Sequence, residues 1–204
     1  MNMSLEHAKG CAATTVLEAL LCKDSYRAAG VSFTHAAGIT SLHHRGVCIL
    51  SYSGDFTRDQ VVQDLRLLAK AHRDSILEMV LTSFRQMGLP DEYLISFNSD
   101  SDRINHRLNC ATLTISSTMN YLHMEAVQTI LTGHIRVFFD APQIRYAFHS
   151  GQQFSRGQID LLGNRGMLAG RKHDDYAPAI ADAHSAMMQA FEALNSKQHL
   201  LARA

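Results

Sequence analysis

The segment His43-His44-Arg45-Gly46-Val47-Cys48 sets two imidazoles just before a thiol. A thiolate attacks electrophilic carbon, and an imidazole can take the thiol proton or return one to a leaving group. Cys48 is therefore a candidate nucleophile, with His43 or His44 as its nearest base. Asp55 would orient a histidine if the chain folds back, and His123 and His149 are more distant bases. Against this stands the plainer account of Cys48 as a small residue packed in a strand. Spacing alone favours packing.

His35, His43, His44 and Asp55 also have the donor types of a tetrahedral zinc site. The sequence has no HExxH and no paired CxxC. Adjacent histidines on a strand point to opposite faces. No metal and no cofactor is expected.

A second segment runs from Gly163 through Asn164, Arg165, Gly166, Met167, Leu168, Ala169 and Gly170 to Arg171, Lys172 and His173. Glycines expose backbone donors, and Arg165, Arg171 and Lys172 add positive charge, so a phosphate or carboxylate could be cradled there. Neither the P-loop pattern nor a dinucleotide fingerprint is present. Asp174 and Asp175 partly cancel the charge, and a solvated glycine loop is the simpler account. The carboxylates Asp55, Asp59, Asp100 and Asp102 read as helix-cap and turn residues rather than as an acid/base pair.

Elements that would position these groups follow from periodicity. Residues 4–22 read as an Ala-rich helix, weakened by Gly10, with Leu5, Ala8, Ala12, Val16, Ala19 and Leu20 as its stripe. Residues 24–45 read as loops with a short strand near 31–33. The apolar run 47–52 reads as a strand covered on both faces. Thr57 stands three residues before Gln60, the spacing of a capping box.

A long amphipathic helix follows from Arg58 to about Met87, striped by Val61, Leu65, Leu68, Ile76, Met79 and Met87 and widened by Val62, Leu67, Val80, Leu81 and Phe84. His72 lies near that stripe, as a packed or rim histidine. Residues 92–97 and 109–116 read as strands. Residues 118–131 read as a helix facing inward through Met119, Leu122, Ala126 and Ile130, and ending at Gly133. Residues 134–139 and 143–148 alternate as a one-sided antiparallel hairpin. Pro178 opens a last helix striped by Ile180, Ala183, Met187, Phe191 and Leu194.

Composition sets the class. The chain has 204 residues, of which 46% are apolar, enough for a real core. Lys plus Arg and Asp plus Glu are 19 each, so no overall field favours nucleic acid or an anionic membrane. No run is apolar enough to span a bilayer. Cys11, Cys22, Cys48 and Cys110 are far apart, which suits a reducing cytoplasm rather than a disulfide scaffold.

The expected fold is a single α+β domain over 1–204. A small mixed or antiparallel sheet is covered by helices, with one long central helix, an N-terminal helical arm over 1–25 and a glycine-rich loop region over 150–175. The expected function is a cytoplasmic binding or regulatory domain recognising a protein partner or a small anionic ligand. Homo-oligomerisation is expected through the long helix or the methionine-bearing last one. The alternative is a cysteine-dependent hydrolase or transferase using Cys48 and a histidine base.

Overall fold

The computed structural model describes residues 3–23, 30–86, 93–98, 110–117, 128–154, 157–160 and 170–201. The fold is α+β. It contains helices α1 (Leu5–Lys23), α2 (Arg58–Gln86) and α3 (Tyr176–Leu201). Strands β1 (Val31–Ala36), β2 (Ile39–His44) and β3 (Val47–Ser53) form one antiparallel sheet in that order. Strands β4 (Tyr93–Asn98), β5 (Cys110–Ser117), β6 (Gln128–Phe138), β7 (Gln143–Phe154) and β8 (Gly157–Asp160) form a second antiparallel meander. Among the described residues, no helix is long and apolar enough to cross a membrane.

The first sheet is built by two-residue hairpin turns. Ala37 and Gly38 have φ of 52° and 74°, and Arg45 and Gly46 have 49° and 83°. Positive φ at both central residues matches the right-handed twist of the flanking strands. In each turn glycine takes the second position without strain, while Ala37 and Arg45 accept an unfavourable one. The expected loop over 24–45 is therefore a strand pair from Val31 onward, in register from Val31↔His44 to Ala36↔Ile39.

β3 lies where the apolar run placed it, but only one face of it is covered. Ile49 is buried, whereas Ser51 and Ser53 are exposed. A register shift beside Leu42 and His43 turns Ile49 into the core next to Leu42. A three-stranded sheet packed on one side explains what a continuous apolar run had suggested as two-sided burial.

α2 is unbroken over its 29 residues. Its N-terminus is capped as expected, the Gln60 amide donating to Thr57 Oγ1 at 3.2 Å. Its buried residues are Val61, Leu65, His72, Ile76, Val80 and Phe84, one helical line with a histidine in the middle. Leu67, expected to widen the apolar face, is 58% exposed.

Two hydrophobic clusters result. One gathers Ala12–Leu20 side chains of α1 with Leu42, Ile49, Val61 and Leu65. The other gathers Cys11, Ile76, Val80 and Phe84 with Ile135, Val137 and Ile144 of the second sheet and Ala179, Ile180, Ala183 and Met187 of α3. Both α1 and α2 contribute to both clusters, and they pass from one to the other at residues 11–12 and 65–76.

The second sheet corrects one expectation. Helix periodicity over 118–131 overlaps the start of β6, and residues 128–131 are strand, paired with Ser150–Gln153 of β7. Residues 118–127 lie outside the described set. Gly133 is a buried mid-strand residue paired with Phe148, not a helix terminator. The β6–β7 hairpin itself is one-sided as expected: Ile135 and Val137 are buried while His134 and Arg136 are exposed.

β7 also runs on to Phe154, and β8 pairs with its far half, so residues 150–154 and 157–160 carry strand rather than loop. The near half of that edge is taken by the segment leading to α3, through a Gln143↔Lys172 bridge and a bond from the His173 amide to Pro142 O at 2.9 Å. A Cβ at Gly170, where φ is +117°, would overlap the carbonyl of Ile144.

The Thr57 cap gives a direct test of the start of α2. Thr57→Ala removes the side-chain acceptor of an otherwise unpaired amide and should lower stability by about 1 kcal/mol in urea titrations, with an unchanged m-value.

Candidate functional site

Chemistry-bearing side chains converge where α1 and α2 cross between the two clusters. Gly10 makes this possible. A Cβ there would overlap the ring of His72, so the imidazole lies directly against the backbone of α1. Cys11, the next residue on α1, places its Sγ 3.7 Å from His72 Nε2. Tyr176, the first residue of α3, brings its hydroxyl to 3.6 Å from the same sulfur. Tyr176 Oη and His72 Nε2 are 3.5 Å apart. Cys11 is 6% and His72 7% exposed, and Tyr176 is fully buried.

The turn between β6 and β7 closes the cluster with two consecutive carbonyls. Phe139 O lies 3.1 Å from His72 Nε2 and Phe138 O lies 2.9 Å from Tyr176 Oη. A carbonyl only accepts, so the proton assignments follow. The His72 Nε2–H donates to Phe139 O, which leaves the Nδ1 side unprotonated. The Tyr176 O–H donates to Phe138 O. The Cys11 S–H, left as a donor, points its proton at Tyr176 Oη. Burial of these polar atoms is thereby offset by bonds for each of them.

The electrostatics agree with a neutral cluster. Burial pushes the Cys11 thiol up to about 11, with the Tyr176 bond opposing and Asp140 adding. Burial lowers His72 to about 4, against the opposing pull of its bond to Phe139 O. Tyr176 is raised far above its ordinary range by burial, then by Cys11. Desolvation disfavours whichever form is charged, so all three groups are driven to neutrality.

A more exposed rim flanks this interior. His7, one turn before Cys11 on α1, holds Asp175 Oδ1 at 3.3 Å through Nδ1, with side chains 18% and 25% exposed. The same oxygen accepts the Tyr176 amide at 2.8 Å at the start of α3. The His7 ring meets Tyr176 and His72 edge-on, at centroid distances of 5.6 and 6.0 Å. Arg73 lies over the Phe139 ring at 5.8 Å.

The residues singled out by spacing lie elsewhere. Cys48 and His43 are cross-strand neighbours on β3 and β2. Cys48 Sγ approaches Leu50 O at 3.8 Å and Ser51 Oγ at 3.6 Å, while His43 Nε2 pairs with Thr34 Oγ1 at 3.0 Å. The two side chains are adjacent, half-buried and not hydrogen-bonded to each other. His44 points to the opposite face, buried, with Nδ1 unpartnered among the described residues. Asp55 is exposed in the loop after β3. His35 pairs with Thr40. Among the described residues, no group of three or more His, Cys, Asp or Glu is arranged to hold a metal ion.

Of the glycine-rich segment, Gly163, Arg165 and Gly166 lie outside the described residues. Gly170, Arg171 and Lys172 run along the edge of β7. Arg171 Nε is 3.6 Å and His173 Nε2 is 2.9 Å from Asp182 Oδ2 on α3, so the guanidinium already faces a carboxylate.

Spacing missed Gly10, Cys11, Tyr176, His7 and Asp175. The only signals were a cysteine one turn after a histidine in α1, a glycine in a helical run, and a histidine inside the stripe of α2. Chain separations of 61, 104 and 165 residues between the partners hide the rest.

Two measurements test this geometry. Gly10→Ala improves helix propensity by about 1 kcal/mol, but overpacking against a buried ring exceeds that gain, and a net loss of about 2 kcal/mol or more is expected in urea unfolding. The second is pH. His72 is depressed on folding, so its contribution is complete above 6.5 and is lost as pH falls toward about 4. The loss should reach about 3 kcal/mol in that window. Cys11 is raised on folding, so a second loss begins as pH rises above 9.0 toward about 11. Stability that stays flat from pH 7 to 4 would contradict a neutral buried His72.

Comparisons with protein-family models, curated proteins and solved structures found no match, and the functional reading rests on the residues themselves.

Proposed function

We propose that this chain is a cysteine-dependent hydrolase or transferase whose nucleophile is Cys11, held here in a closed and protonated state. The observation that carries the reading is the convergence of thiol, imidazole and phenol within 3.5–3.7 Å, from three separate helices, at a glycine that leaves room for the ring. A nucleophile, a base within reach of it and a third oriented group form the general pattern of covalent catalysis.

The step would run as follows. Once solvent enters, His72 gives its Nε2 proton to water and gains one at Nδ1, and the Nε2 lone pair so freed faces Sγ, 3.7 Å away, and takes the thiol proton. The sulfur attacks an acyl carbon and forms a thioester. The imidazolium returns the proton to the departing alcohol or amine, and water or a second acceptor then displaces the acyl group. Tyr176 Oη, on leaving Phe138 O, would donate to the developing oxyanion. In the closed state a thiol near 11 is almost wholly protonated at neutral pH, so access of solvent and substrate must precede chemistry.

A binding or regulatory domain for a protein partner or small anionic ligand is the second reading. One observation favours it: every polar hydrogen of the trio already has an acceptor, as in a purely structural junction. In that case Cys11 needs no reactivity. A cytoplasmic setting and self-association through α2 or α3 belong to this second reading, whereas the Cys48–His43 pair belongs to the catalytic one, as a second thiol centre.

One experiment separates the readings. The protein is incubated with p-nitrophenyl acetate at pH 7.5, and acetylation is mapped by peptide mass spectrometry, with exposed Cys22 as the reference thiol. The catalytic reading expects Cys11 to be acetylated faster than Cys22, more slowly in His72→Gln, and p-nitrophenol release to fall by at least about tenfold in Cys11→Ala. Acetyl on Cys22 or Cys48 with none on Cys11 would overturn it.

A further inference from the structure

We infer that residues 5–11 of α1 form a hinged gate over the Cys11 site, pivoting at Gly10 and Cys11 and latched by the His7–Asp175 pair. The gate deepens the proposal that Cys11 is the working group, although its mechanics require only that this thiol become exposed.

The helix is weakest at that point. Gly10 is the poorest helix former in the run apart from any proline. Thr14 Oγ1 donates to Gly10 O and Thr15 Oγ1 to Cys11 O, both at 2.9 Å. Such hydroxyl bonds to the carbonyl four residues back compete with the helical ladder and favour bending.

The packing changes at the same place. From Ala12 onward, α1 is anchored by Ala12, Ala13, Val16, Leu17 and Leu20 in the cluster of the first sheet. Before Gly10 it has no comparable anchor. Leu5 is 65% exposed, and residues 4–9 include no buried side chain. The first turns are held by partial packing of Met3 on the other cluster and by His7, through Asp175 and through edge-on contact of its ring with Tyr176 and His72. A helix end with few buried apolar contacts sits at the low end of local stability.

What the gate covers is the third observation. Cys11 and His72 are both under a tenth exposed, and His7, from the weakly anchored first turns, sets its ring edge-on against His72 and Tyr176. Bending at Gly10 would lift the α1 backbone from the His72 ring and admit water to the sulfur while residues 12–23 remain in place. Asp175 Oδ1 then keeps its bond to the Tyr176 amide, so the start of α3 survives opening.

The test is the rate of iodoacetamide labelling of Cys11 in the full chain under native conditions, resolved from Cys22, Cys48 and Cys110 by peptide mass spectrometry. Wild type is compared with His7→Ala, which removes the latch, and with Asp175→Asn, which removes its charge but keeps an oxygen able to cap α3. Labelling of Cys11 should rise by about three- to tenfold in both variants. It should be insensitive to low urea, while hydrogen exchange of β6 amides and the urea midpoint stay within error of wild type.

Cys11 labelled only with the full urea dependence of global unfolding would overturn the gate, as would a rise matched by an equal loss of global stability. So would unchanged labelling in both variants. Alkylation reads exposure and acetylation reads catalysis, so the gate can fail with the nucleophile intact, or hold where Cys11 has no catalytic power.

Discussion

The approach of α1 to α2 at Gly10 and His72 is the constraint from which the rest follows. Only a hydrogen fits between the helix backbone and the imidazole ring. With that spacing, α1 and α2 lie side by side and each runs through both hydrophobic clusters, so that among the described residues the two sheets are joined through helices. Any larger residue at position 10 would separate the helices, and Cys11 would leave the cluster formed with Phe84 and Tyr176. The small residue Ala13, three positions on and fully buried, continues the same close face.

Joining the clusters places a polar group at their boundary, and that group must be satisfied. An imidazole buried without a partner costs more than a hydrogen bond returns. The β6–β7 turn supplies the acceptors as the carbonyls of Phe138 and Phe139, one for Tyr176 and one for His72. The hairpin is therefore tied to α2 and α3 by directed bonds as well as by apolar contact. The same low-dielectric setting that makes these bonds effective holds the thiol and phenol protonated and the imidazole neutral. Stability and reactivity pull on the same atoms in opposite directions.

Much of the fold was legible because amphipathic period and turn chemistry agreed. The stripe of α2, the Thr57 cap, the run of β3 and the alternation of β6–β7 each carry a local signal. The β1–β2 and β2–β3 hairpins were not read, because their turns carry Ala37 and Arg45 where asparagine or aspartate would have announced positive φ. The start of β6 was misread, because Ile130 completed a helix-like spacing with Met119, Leu122 and Ala126, and Gly133 resembled a stop.

The site was less legible still. His43, His44 and Cys48 drew notice by being close in sequence, whereas Cys11, His72 and Tyr176 are brought together only by the crossing of three helices. Gly10 was visible as a weakness of α1, but its purpose depends on a ring 62 positions away, and no local pattern encodes that.

The two cysteines differ in what each lacks. Cys48 is half-buried on an open sheet, with hydroxyls and a cross-strand histidine around it, but that histidine is bonded to Thr34 and the sulfur has only weak partners. Cys11 has an imidazole and a phenol at contact distance but almost no exposure. Accessibility is the easier deficit to repair: a helix turn can move by bending at a glycine, whereas a catalytic constellation must be held by surrounding packing before a substrate arrives. That asymmetry directs attention to Cys11. It also gives the inferred pivot in α1 a reason to fall at residue 10, since a pivot farther from the sulfur would either leave the thiol covered or pull Val16, Leu17 and Leu20 out of the first cluster.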